Sequence, residues 1–144
     1  MDAALSSVQV GLGPLRRSRG GSLRGPIWFE FDGVAFPEAR WDDSSVAILG
    51  GWVSALRSND RYPHLRFKGG AFELQIDRGS SPGVMVAAVE RTKRTEIVRI
   101  AGSVKFDVLR REILRAARTV LRDCGKQKWT SKDVDQLAKS LEGA

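Results

Sequence analysis

HLRFKGGAFELQID, residues 64 to 77, constrains the fold more tightly than any other stretch of this chain. Two glycines separate two runs in which apolar and polar residues alternate, the pattern of a tight turn joining strands with one buried face. With Gly69 and Gly70 in the turn, Phe67 faces Phe72 and Leu65 faces Leu74, while Arg66 meets Glu73 on the other face. FEFDGVAF, residues 29 to 36, repeats the signal. There Asp32-Gly33 supplies two positive-φ positions, pairing Phe31 with Val34 and Phe29 with Phe36. Strands joined by turns this short run antiparallel. GVMVAAVE (83–90), apolar on both faces, reads as a central strand, and TEIVRIAG (95–102) as its neighbour beyond the turn RTKR.

Between the hairpins, RWDDSSVAILGGWVSALRS (40–58) has helical period, with Ile48, Leu49, Trp52 and Leu56 as its buried stripe. Asp42 or Asp43 is the expected cap, with Trp41 folded onto Val46. Gly50-Gly51 costs such a helix about 2 kcal/mol relative to alanine, and close approach to a sheet is the expected compensation. A second helix opens at Ser103 and ends at Gly125. A third opens at Thr130 and Asp133, with Trp129 placed against Val134. Residues 1–25, rich in glycine, serine and arginine without a sustained period, read as a flexible basic tail. The expectation is therefore a single α+β domain over residues 26–144. Its antiparallel sheet has about six strands, with one helix after the first hairpin and two C-terminal helices.

A chain of 144 residues can bury this much core without a metal or disulfide staple. Its single cysteine, Cys124, excludes an internal disulfide, and its single histidine, His64, excludes a His/Cys zinc cluster. No apolar run approaches the roughly 20 residues that span a bilayer. No cofactor motif is present, and a cytoplasmic protein without a membrane partner is expected.

The formal charge of +7 is unevenly placed: residues 79–144 hold fourteen basic side chains against eight acidic ones. In FDVLRREILRAARTVLRDC (106–124), Arg111, Arg115, Arg118 and Arg122 fall within an arc of about 60°, with the apolar residues nearly opposite. Glu112 and Asp123 lie to the side of this line, which leaves the arginines without good compensation. Guanidinium groups in a row suit carboxylates or phosphates, so these four arginines are the candidate contact residues. Glu30, Asp32, Asp42 and Asp43 are weaker candidates for a carboxylate site, since turn and cap roles account for most of them. Cys124 continues an apolar stripe and His64 opens a strand, so a Cys–His pair is not expected. Without a nucleophile elbow or phosphate loop, a non-enzymatic role follows.

FEFDGVAFPEARWDD, then ILGGWVSAL, and much later AARTVLRDCGKQKWTSKDVDQL, resemble small bacterial proteins of the polymorphic-toxin immunity type. The resemblance covers residues 27 to 141 and rests on core and cap residues, so no site residue carries over from it. Immunity proteins of nuclease toxins are often acidic, whereas this chain is basic. The resemblance implies a non-catalytic protein-binding module that blocks a toxin by occluding its surface. The arginine face would meet an acidic patch on that partner. The alternative is sequence-independent nucleic-acid binding by the same face together with the basic tail.

Overall fold

The computed structural model describes residues 4–79 and 83–143. Strand β3 (Leu23–Phe31) organises the first half of the chain; its burial alternates strictly, with Ile27, Phe29 and Phe31 facing inward. Along one edge run β1 (Val8–Leu12) and β2 (Arg16–Arg17), and along the other β4 (Val34–Phe36) and β5 (Asp42–Asp43), all antiparallel to it. The Asp32-Gly33 turn takes the expected positive φ values, 50° and 82°, and sets Phe29 opposite Phe36.

The segment read as a flexible tail is thus largely ordered, although residues 1–3 lie outside the described residues. Val8 and Val10 are buried, Val10 lying opposite Phe29. The glycines that made this segment look mobile have a packing role. A Cβ added at Gly11 would collide with the Trp28 ring, and one at Gly13 with Pro26. Only glycine lets β1 lie this close beneath those side chains.

The remaining strands form a second sheet in the order β6 (His64–Arg66), β7 (Phe72–Asp77), β8 (Val84–Arg91), β9 (Glu96–Val104). Leu65 pairs with Leu74 and Arg66 with Glu73, the register expected from the diglycine turn. The α+β class and antiparallel pairing match expectation, but the strands divide between two sheets. An aromatic cluster joins them. Phe29 stacks on Trp52 at 4.6 Å between ring centres, and Phe67 meets Phe29, Phe36 and Trp52 edge-on.

Helix α1 (Ser45–Arg57) packs against β3, β6 and both later helices, α2 (Phe106–Gln127) and α3 (Lys132–Leu141). Its stripe of Ile48, Leu49, Trp52 and Leu56 is buried as expected. Several helix ends differ from the sequence reading. Ser44 rather than an aspartate precedes α1, and Trp41 packs edge-on against Phe72. Lys105, not Ser103, precedes α2, because Ser103 is held in β9. That helix runs past Gly125 to Gln127, and Lys128 takes the left-handed position, φ 57°. Ser131, one residue after Thr130, caps α3 by accepting from the Val134 amide. Gly50 faces α3 rather than a sheet: a Cβ there would lie 3.7 Å from the Leu137 backbone.

Candidate functional site

The register of α2 is set by its apolar side, where Leu109, Ile113, Ala117, Val120 and Cys124 are buried. Arg111, Arg115, Arg118 and Arg122 are all exposed on the other side, as the helical spacing requires. They are not equivalent, however. Arg115 donates to the Glu112 carboxylate at 2.6 Å and to the Val10 carbonyl at 3.0 Å, while the Val10 amide donates to Glu112 at 3.0 Å. Two side chains of α2 therefore satisfy both peptide groups of Val10 in the middle of the edge strand β1. Burial works against the Glu112 charge, but Arg115 and the Val10 amide outweigh it and hold the carboxyl below its ordinary range. Glu112 in turn raises the Arg115 pKa. The expectation that Glu112 would leave the arginine line uncompensated is corrected here: Arg115 is a structural brace.

Among the described residues, Arg111, Arg118 and Arg122 have no ion-pair partner. Arg111 and Arg118 join Arg110 and Asp107 around a shallow cleft of about 220 Å³ floored by Leu114. Arg110 was not singled out from the sequence, because at 100° per residue it falls outside the arc of the other four. What remains is a surface of several guanidiniums with one nearby carboxylate, on a helix anchored by its buried face and by the β1 brace.

The four acidic candidates do not meet. Asp32 accepts from the Ser7 amide at 2.7 Å, and Glu30 from the Trp28 indole at 3.3 Å. Asp42 takes a two-pronged contact from Arg16, both prongs at 2.6 Å, which holds its pKa below the usual range and ties down an arginine of the expected tail. Asp43 is buried and accepts from the Trp41 indole and from the amides of Ser44, Lys68 and Gly69, fastening the second hairpin to the start of α1. Glu30 pairs with Ala35, whereas Asp43 pairs with Gly25, five residues away along β3. That separation is about 17 Å, so no shared carboxylate pocket forms. Cys124 is buried in the core; burial, then the charge of Asp123, pushes its thiol pKa up. No cluster of metal-ligating side chains occurs among the described residues.

Sequence reasoning missed the outer face of the second sheet. Glu73 points away from the core yet is only 3% exposed, because its neighbours cover it. His64 Nδ1 lies 2.9 Å from it, Arg91 Nε 2.7 Å, Gln75 Nε2 3.1 Å and Arg66 Nε 3.4 Å. Burial by itself raises the Glu73 pKa, but the bonds from Gln75 and His64 and the charges of His64 and Arg91 prevail and lower it to about 2. Beside this cluster Tyr62, His64, Gln75, Asp77, Met85 and Ala101 line a hollow of about 330 Å³. The Arg66–Glu73 pair was legible from the hairpin. The cover supplied by Arg91 was not, since it depends on the β7–β8 register across a longer loop.

No helix among the described residues is long and apolar enough to cross a membrane. No protein-family model matches the chain, and neither a curated protein nor a solved structure gives a significant match.

Proposed function

We propose that this protein is a non-catalytic binding module, an immunity-like inhibitor that acts in the cytoplasm by covering an acidic surface of a protein toxin. One observation carries the reading: Arg111, Arg118 and Arg122 stand exposed on α2 without an ion-pair partner among the described residues. The helix beneath them is fixed by its buried face and by the Glu112–Arg115–Val10 brace. Guanidiniums on a rigid element lose little freedom on pairing with carboxylates, and their field speeds encounter with an acidic partner.

The competing reading, nucleic-acid binding, uses the same arginine face together with the basic N-terminal segment, and Arg16 of that segment is held by Asp42. Among the described residues, no exposed aromatic side chain lies on α2 for bases to stack on. Tyr62, an exposed aromatic residue, lies in the loop before β6 and not on α2. Fluorescence anisotropy with labelled single- and double-stranded DNA and RNA, near physiological salt, separates the two. The protein reading expects only the weak affinity of any basic protein, changed little by Arg111→Gln, Arg118→Gln and Arg122→Gln together. Tight binding that the triple variant abolishes while remaining folded would replace it with the nucleic-acid reading.

A further inference from the structure

His64, Gln75, Ala87 and Ala101 lie in one row across the second sheet, each paired with the next. Directly opposed residues of an antiparallel ladder point to the same side, here the outer face that carries Glu73. Larger side chains border the row, Glu73 and Val89 along one flank and Asp77 and Met85 along the other. The two alanines therefore leave a dip, the floor of the hollow of about 330 Å³. Ala101 is exposed, Ala87 and Met85 are half-buried, and Tyr62 at the side is 51% exposed, so these surfaces are open to a ligand. The Arg61 guanidinium lies 5.1 Å over the Tyr62 ring and steadies it from one face, leaving the other face and the hydroxyl.

The polar atoms left free around the dip are mainly acceptors. Glu73 is a carboxylate and can only accept, so His64 Nδ1, 2.9 Å away, donates to it, and in the neutral ring Nε2 keeps its lone pair. Gln75 spends both amide hydrogens, on Glu73 at 3.1 Å and on Glu96 at 3.2 Å, which leaves its Oε1 as an acceptor. One oxygen of Asp77 takes the Arg61 Nε and the Gly79 amide, and the other has no partner among the described residues. No lysine or arginine lines the hollow to hold a phosphate. Charge is balanced at its border, since Arg61 offsets Asp77 and Arg91 lies between Glu73 and Glu96. A ligand suited to this face is flat, uncharged and a donor of hydrogen bonds.

We propose that this row binds a small, uncharged planar heterocycle bearing amino or ring N–H donors. Its ring lies over Ala87 and Ala101 beside Tyr62, and its donors turn towards Gln75 Oε1 and the acceptors of His64 and Asp77 that flank it. The site is on the second sheet, apart from the arginines of α2, and does not depend on them.

The test is a titration of the full chain with adenine, purine and benzoate, followed by amide and side-chain NMR shifts. Adenine should give saturable shifts at the Ala87 and Ala101 amides and at the Gln75 side-chain amide. Purine, the same ring system without the amino group, lacks one hydrogen bond and should bind roughly tenfold more weakly. Benzoate, a flat anion without donors, should not saturate. Ala101→Leu fills the dip from an exposed position, and Tyr62→Ala removes its side wall. Each should weaken adenine binding by roughly tenfold or more, with thermal melts confirming that both variants remain folded. Adenine shifts that fail to saturate or that map to α2, an affinity for purine or benzoate equal to that for adenine, or binding unchanged in both variants would overturn the proposal.

Discussion

Replacing Glu73 with glutamine removes a buried charge from the outer sheet face while keeping its shape. In the folded protein this carboxyl titrates at about 2, against an ordinary value of 4.5. At about 1.4 kcal/mol for each tenfold change in proton affinity, the ionised carboxylate would favour the fold by roughly 3 kcal/mol if nothing screened its partners. The side chains of Arg66 and Arg91 are 70% and 48% exposed, however, so water competes for both. Discounting for that screening leaves an expected loss of about 1–2 kcal/mol for Glu73→Gln. The pH dependence has a definite sign. Because the folded pKa is depressed, the stabilisation is complete above about pH 4.5 and is lost as pH falls towards about 2. Urea unfolding of both proteins from about pH 7 to about pH 2.5 should show a gap that narrows only below about 4.5. A gap under about 0.5 kcal/mol at neutral pH, or one that stays constant through acid, would refute the network as described.

Asp43→Ala leaves three amides and an indole N–H without their acceptor and should cost about 3 kcal/mol in urea unfolding; a loss under about 1 kcal/mol would mean water replaces the carboxylate freely. The two helix glycines should respond in opposite directions. Gly51→Ala is expected to stabilise by up to about 1 kcal/mol, whereas Gly50→Leu, forced against the Leu137 backbone, should destabilise by about 2 kcal/mol, and melting temperatures that fail to diverge would contradict the packing. Arg115→Gln should cost about 1–2 kcal/mol and speed hydrogen exchange at the Val10 amide, while Arg118→Gln should stay within about 0.5 kcal/mol. Equal effects of the two arginine changes would remove the distinction between brace and open contact.

What the sequence made legible was local. The Asp32-Gly33 and Gly69-Gly70 turns set their own registers, so Phe29 opposite Phe36 and Leu65 opposite Leu74 followed from spacing alone. The buried stripes of α1 and α2 followed from a period of 3.6. Features that depend on distant partners were hidden. VQVGL is too short and too rich in small residues to stand out as a strand, and it becomes one because Phe29 and Trp28 receive it. Asp43 looked like a helix cap because two of the amides it serves, at Lys68 and Gly69, lie in another hairpin. The arginine line was visible as geometry, but the loss of Arg115 to Val10 needed the position of β1.

The central claim is that α2 meets an acidic protein through Arg111, Arg118 and Arg122. Its most direct test is quantitative affinity capture from the native cell extract with two baits, the wild-type chain and the Arg111→Gln, Arg118→Gln, Arg122→Gln variant, at low and moderate salt. The account predicts a specific acidic protein that is enriched on the wild type, lost on the variant and weakened by salt. Identical protein profiles on the two baits, or a wild-type bait that retains only nucleic acid, would contradict it.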